Sequence, residues 1–112
     1  MGKLFYGSDP QPIDIDDRLL QYVQIVVATK LRRGESFTLT WTQRDTGAGR
    51  QTVWLQPAIP LRFVYATETA ERLSPAYMRQ LADQAAGTAG LMLDLDRWQQ
   101  QENSAAVHLV AA

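Results

Sequence analysis

The sequence has no cysteine, a single histidine and no long hydrophobic run. Without cysteine there is no disulfide framework, no thiolate nucleophile and no cysteine-ligated zinc site. One histidine argues against a catalytic zinc site built by the chain alone. No segment approaches the ~20 apolar residues that a membrane-spanning helix needs, and the N-terminus does not resemble a signal peptide. We therefore expect a cytoplasmic protein that does not interact with membranes.

An excess of positive charge is also missing. Eleven Lys and Arg residues face twelve Asp and Glu residues, which leaves a formal net charge of −1. Any binding to nucleic acid must therefore use a local patch, because the chain as a whole is not drawn to phosphate. The 112 residues and the 46% hydrophobic content are typical of one globular domain. We expect a single α+β domain over residues 1–96, then a polar connector and a short apolar tail over 97–112.

The first third of the chain predicts two strands and a long helix. Residues 3–6 and 13–15 read as short strands around a turn rich in Gly and Pro, and they could pair as a hairpin. Asp16 is a candidate N-cap for a helix over 17–33, whose apolar residues recur at helical spacing. Several β-branched residues make a buried strand the competing interpretation of this segment. The caps and the length favour the helix.

The remainder predicts four strands and a second helix. Alternating residues indicate strands over 36–42, 50–56 and 61–65, which suggest a meander. Ser74 and Pro75 are typical of a helix start, and alternating leucines from Leu91 onward indicate a last strand. The fold class is therefore α+β, with an antiparallel or mixed sheet of about six strands and two helices in the order ββαβββαβ.

Motifs for nucleotide chemistry are absent. Neither Lys3 nor Lys30 lies in the Lys-x-Asp-Gly setting of an adenylated lysine. The stretch over 47–50 lacks the remainder of a P-loop and lies between strands, so it favours a plain hairpin loop. His108 lies in the apolar tail with no catalytic partner near it in sequence. The sequence therefore predicts no catalytic residue and no cofactor.

Two groups of aspartates could in principle bind Mg²⁺, which prefers oxygen ligands. Helix capping and strand alternation explain these residues more simply, so we expect no metal site. The two groups are Asp14, Asp16 and Asp17, and Asp94 and Asp96.

The one constellation that indicates binding is cationic and aromatic. Arginines can grip phosphates bidentately and aromatic rings can stack on unpaired bases. The competing interpretation is structural, since cations belong at a helix C-terminus and Trp41 follows the core side of its strand. Arg44 and Arg50 both lie at the predicted hairpin between the strands over 36–42 and 50–56. The predicted nucleic-acid-binding residues are Lys30, Arg32, Arg33, Arg50, Arg62 and Trp54.

Trp54 resists a purely structural explanation. Val53 and Leu55 share one face of their strand, so Trp54 points to the other face. One face must then expose a large apolar group or bury it by other means. This pattern predicts a partner, a second packed layer or a dimer.

Three stretches carry a resemblance to a known family: GKLFYGS at 2–8, ATKLRRGESF at 28–37 and TVWLQPAIPL at 52–61. They resemble a family of small uncharacterised actinobacterial proteins whose members often bear the name ATP-dependent DNA ligase. The resemblance covers roughly residues 2–95 and implies no particular functional residue. Because the adenylation motif is missing, it implies at most an accessory piece without ligase activity of its own.

These observations favour a small non-enzymatic binding or assembly module, with nucleic acid as a candidate partner. A homo-oligomeric protein that uses the Trp54 face as its interface is the alternative. An accessory piece related to DNA ligase is the third hypothesis.

Overall fold

The computed structural model of the chain describes residues 1–44 and 49–111, with side chains up to residue 105 in the second range. Over these residues the fold is α+β with six strands, as the sequence predicts. The elements are β1 (Gly2–Tyr6), β2 (Ile13–Ile15), α1 (Asp17–Arg32), β3 (Phe37–Thr42), β4 (Arg50–Leu55), β5 (Leu61–Val64), α2 (Pro75–Ala86), β6 (Leu91–Asp94) and α3 (Trp98–Ala111).

The predicted number of helices was wrong, because α3 adds a third after β6. Its sequence is rich in Gln and Ala, which are good helix formers. It carries no clear apolar stripe, however: Trp98 is buried at its start, while the four residues that follow are mostly exposed. Because this segment has helix propensity but no amphipathic spacing, the sequence predicted a connector where the structure has α3.

The chain divides into two compact units. Unit 1 comprises Met1–Ser36 and Leu55–Leu73, and unit 2 comprises Phe37–Trp54 together with the chain from Ser74 onward. The sequence predicted one sheet of about six strands. The structure has two sheets of three strands each, ordered β2-β1-β5 and β4-β3-β6. The predicted meander of β3, β4 and β5 is wrong, because β5 pairs with β1 instead. Pro57 and Pro60 lie in the segment between β4 and β5. Because proline has no backbone N–H to donate, it disfavours continuous strand pairing there.

The sheet of unit 1 is antiparallel throughout. β1 pairs with β2 on one side, which confirms the hairpin, and with β5 on the other. Lys3 lies opposite Asp14 across the β1/β2 ladder, and its Nζ is 2.8 Å from the carboxylate. Leu4 and Ile15 are almost fully buried and belong to the core.

The helix of unit 1 begins and ends as its sequence predicts. The Asp16 side chain caps α1 by accepting a hydrogen bond from the Arg18 backbone N–H at 2.9 Å. Gly34 follows the helix with a φ of +76°, a conformation that L side chains rarely adopt. The buried residues of α1 cover a wide face: Leu19, Leu20, Tyr22, Val23, Val26 and Val27.

Unit 2 combines the sheet β4-β3-β6 with α2 and α3. β3 is central and runs parallel to β6, with Leu39 opposite Leu91 and Trp41 opposite Leu93. Those four side chains are buried and form one side of the sheet. The Ser74 hydroxyl caps α2 by accepting from the Tyr77 backbone N–H, as predicted.

Candidate binding surface

The sheet of unit 2 presents a second face that carries polar and apolar side chains together. The Thr40 and Thr52 hydroxyls are 2.8 Å apart, which places both residues on the same face of β3 and β4. Because side chains alternate along a strand, Arg50 and Trp54 share that face with Thr52. The β3/β6 register sets Met92 opposite Thr40 on the same face. We call this surface, made of Thr40, Arg50, Thr52, Trp54 and Met92, the Trp54 face.

Two large apolar side chains of the Trp54 face are open to solvent. Trp54 is 56% exposed and Met92 is 46% exposed, whereas Trp41 and Trp98 are 7% and 4% exposed. Of the outcomes that the sequence left open for Trp54, the structure therefore shows exposure. Met92 was not predicted as part of this surface, although its alternation with Leu91 and Leu93 indicates the same arrangement.

The two outer strands of this sheet differ at their free edges. On β6, the Gln84 side chain of α2 accepts a hydrogen bond from the Met92 backbone N–H at 3.1 Å. On the other side, β4 pairs with β3 and with no other strand in the described residues. Arg50, Gln51 and Thr52 are all exposed, although they point alternately to the two faces. The edge of β4 is therefore the more accessible one.

Two of the three cations at the end of α1 form ion pairs with one carboxylate, that of Glu35. Lys30 Nζ lies 2.8 Å from Glu35 Oε2, and the Lys30 side chain is only 14% exposed. Arg33 approaches the same carboxylate at 4.0 Å, and Arg32 is exposed. The hydrogen bond from Lys30, helped by the charges of Lys30 and Arg33, holds the pKa of Glu35 below its ordinary value of 4.5. A phosphate would compete with Glu35 for these cations.

This pairing predicts a specific pH dependence. Because the pKa of Glu35 is lower in the folded state, its contribution to stability is present above about pH 4.5 and is lost as the pH falls through the folded value. The unfolding free energy of Glu35→Gln should then vary less than that of the wild type on acidification below this pH. Urea titrations at a series of acidic pH values measure the difference, and parallel curves for the two proteins would contradict it.

The remaining predicted residues lie elsewhere. The Arg62 guanidinium stacks over the Phe5 ring at 4.4 Å, on the β1/β5 pair of unit 1. Arg50 and Trp54 belong to unit 2. The structure thus brings Lys30 and Arg33 together at Glu35 and places Arg50 and Trp54, four residues apart in sequence, on one face of β4. In both units, acidic residues are at least as numerous as basic ones.

The aspartates considered for Mg²⁺ have structural contacts. Asp14 pairs with Lys3, Asp94 accepts from the backbone N–H of Asp96, and Asp96 accepts from the backbone N–H of Arg44. Within residues 1–44 and 49–105, no group of three or more His, Cys, Asp or Glu side chains could hold a metal ion. The His108 side chain lies outside the described part of the structure.

With this geometry established, comparison with known families gives one match. A family model described as a domain of unknown function, DUF7882, matches residues 1–96. The chain belongs to the DUF7882 family. The expected resemblance to an uncharacterised family is confirmed at this level. No curated protein and no solved structure matches the chain significantly.

The DUF7882 match contains the whole Trp54 face and ends shortly after β6. It therefore leaves out α3, which begins at Trp98. None of the described helices has the length and apolar character needed to cross a membrane.

A cavity of unit 1 was not predicted. It has a volume of about 270 Å³ and opens between α1 and the segment that follows β5. The Tyr65 hydroxyl donates to Gln24 Oε1 at its wall. Burial, and secondarily the negative charge of Asp17, raise the pKa of Tyr65 to about 12, so the phenol stays protonated near neutral pH. The cavity was missed because residues 66–73 show no periodic pattern. Its lining residues are Gln21, Gln24, Ile25, Tyr65, Thr67, Glu68, Thr69 and Ala70.

Proposed function

We propose that this DUF7882 protein is a non-enzymatic binding or assembly module, acting in the cytoplasm, and that the Trp54 face is its contact surface. The observation that carries the proposal is the joint exposure of Trp54, Met92 and Arg50 on one face of a sheet. Trp, Met and Arg are enriched in protein interfaces, where Trp and Arg often supply most of the binding energy. The absence of cysteine supports the proposed compartment.

A protein is the favoured partner. Neither unit has an excess of basic residues, so the long-range attraction that brings nucleic acid to a basic domain is missing. Lys30 and Arg33 already face Glu35. By contrast, association with a protein would bury the exposed apolar surface of Trp54 and Met92, which is favourable because it removes that surface from water.

Single-stranded nucleic acid is the second candidate, favoured by the exposure of Arg50 and Trp54 on one face of β4, four residues apart in sequence. In that case Trp54 stacks on a base and Arg50 contacts phosphate, both within unit 2. Arg32 and Arg62 of unit 1 are separate candidate phosphate contacts, and Lys30 and Arg33 would contact phosphate only after leaving Glu35. The resemblance of the sequence to a family whose members often bear the name ATP-dependent DNA ligase leads to a third proposal, an accessory piece without ligase activity of its own.

A titration separates nucleic acid from protein as the partner. Labelled single-stranded DNA and RNA and nicked duplex DNA are titrated at low and moderate salt with wild type, Trp54→Ala and Arg50→Ala. The nucleic-acid proposals predict binding that weakens with salt and falls in both variants. Ile25→Ala is the matched control, since Ile25 is a 47% exposed apolar residue outside the Trp54 face. No binding at low salt would remove both of these candidates.

Fluorescence quenching tests the contact surface itself. Since Trp41 and Trp98 are buried, acrylamide should quench mainly Trp54. If the Trp54 face binds a partner, this quenching should decrease with rising concentration of the chain or with added oligonucleotide. In Trp54→Phe neither dependence should remain. Quenching that is independent of both concentrations would contradict the proposed surface.

A further inference from the structure

We propose that the partner is a second copy of this chain, bound by antiparallel pairing of the two β4 strands about Thr52. This inference rests on the proposed function and specifies the partner and the geometry. The two sheets ordered β4-β3-β6 would join edge to edge into one continuous sheet of six strands.

The outer edge of β4 is accessible to a second strand. β4 has six residues, and its outward backbone groups face no other strand in the described residues. Natural edge strands are commonly protected by lysine, proline, a bulge or a covering element. β4 contains neither Lys nor Pro, and its residues Arg50 to Thr52 are exposed on both faces. The opposite edge of the sheet is covered in part by Gln84.

The sequence of β4 is complementary to itself when two copies pair in antiparallel orientation about Thr52. In an antiparallel pair related by a two-fold axis, residues equally distant from the axis lie opposite each other. With Thr52 on the axis, Arg50 lies opposite the partner's Trp54, and Trp54 lies opposite the partner's Arg50. An arginine over a tryptophan ring is a favourable cation–π pair, and the symmetry forms it twice.

Neighbouring registers lack this match. Residues that face each other must point to the same side of the sheet. The two-fold axis must therefore pass through a residue and its own copy, so the nearest alternative registers have the axis at Gln51 or at Val53. An axis at Gln51 sets Arg50 opposite a threonine, and an axis at Val53 sets it opposite a glutamine. Only the Thr52 register covers both exposed tryptophans with arginine. It also extends the Thr40–Thr52 pair into a row of threonines across the dimer.

The contact involves one short strand from each copy, which is at the small end of specific interfaces. We therefore expect a reversible equilibrium between monomer and dimer. Sedimentation of the full chain from about 10 µM to about 1 mM should show a molar mass that rises with concentration. A monomer over this whole range would overturn the proposal.

A charge and ring exchange tests the register. Arg50→Glu and Trp54→Ala should each weaken dimerisation by about tenfold or more, because each removes both cation–π pairs. The double variant R50W/W54R keeps an arginine opposite a tryptophan and should restore dimerisation to within about threefold of wild type. A double variant as weak as the single ones would refute the register. Far-ultraviolet circular dichroism verifies that the variants, all at exposed positions, remain folded.

Single cysteines give an independent readout, since the wild type has none. Residues directly opposite each other have Cβ atoms roughly 5 Å apart, whereas diagonal neighbours lie about 7–8 Å apart. Thr52→Cys should therefore form a disulfide-linked dimer under mild oxidation. Gln51→Cys, an exposed neighbour away from the axis, is the matched control and should cross-link more slowly. Equal rates would contradict pairing about Thr52.

The two proposals fail in different ways. If Trp54 is protected from quenching while the chain remains monomeric, the Trp54 face binds another molecule and the pairing through β4 is wrong. If the chain dimerises while Trp54 stays accessible and R50W/W54R is not restored, the dimer uses another surface and both proposals fall.

Discussion

Gly90→Ala should lower the free energy of unfolding by about 3–5 kcal/mol, combining a forced left-handed backbone with a severe clash. Gly90 has a φ of +75° and directly precedes β6. A Cβ at this position would lie 2.2 Å from Thr38 Oγ1 and 2.4 Å from the Thr38 carbonyl oxygen. The hydroxyl could rotate away, but the carbonyl belongs to the backbone of β3. The alanine methyl group would therefore push β6 away from its parallel partner.

Gly34→Ala is the matched control for this prediction. Gly34 has nearly the same φ, +76°, but a Cβ there would meet nothing within 4 Å. Its substitution should cost only the backbone strain, about 1–2 kcal/mol. Urea unfolding of the two variants gives both losses of unfolding free energy, and their difference measures the contribution of the clash at Gly90. Equal costs would show that β3 and β6 do not approach as closely as the structure has them.

Asp17→Ala should cost about 2–3 kcal/mol, since one carboxylate holds two backbone amides of the segment after β5. The Asp17 side chain is 15% exposed and accepts hydrogen bonds from the Ala66 N–H at 2.9 Å and the Thr67 N–H at 3.2 Å. Part of the cost comes from its place in the first turn of α1, where a negative charge is favourable. Proteolysis at Arg72 should also become faster, because the segment loses one of its attachments to α1 and keeps those through Arg18 and Gln21.

Two further variants isolate this effect. Asp17→Asn keeps one acceptor but removes the charge, and it should lower the pKa of Tyr65 from about 12, because the charge of Asp17 helps to raise it. Asp14→Ala removes an aspartate whose side chain is 52% exposed and pairs with Lys3, and it should cost less than about 1 kcal/mol. Similar losses for Asp14→Ala and Asp17→Ala would contradict the role given to Asp17.

Local signals in the sequence predicted most of the individual elements. Asp16 and Ser74 cap the two predicted helices because their side-chain oxygens satisfy backbone donors that the first turn leaves free. Alternation predicted the strands, since one side of each strand is less exposed to solvent than the other. The number of helices was wrong because α3 depends on propensity and lacks an apolar stripe.

Long-range pairing was not predictable in the same way. Alternation shows that a strand exists but not which strand lies beside it, so β5 was placed next to β4 and not next to β1. For the candidate site, the order Val53, Trp54, Leu55 predicted that a tryptophan would leave the core side of β4. The partnership of Lys30 with Glu35 was not foreseen, because it depends on the turn at Gly34 that brings residues five apart together.

Amide hydrogen exchange of β4 at low and high protein concentration shows whether β4 and the Trp54 face form the contact surface of the protein. We predict that amides within residues 50–55 exchange more slowly at high concentration, while those of β1, central in the other sheet, do not change. Exchange in β4 that is equally fast at both concentrations, with no added ligand able to slow it, would contradict the account.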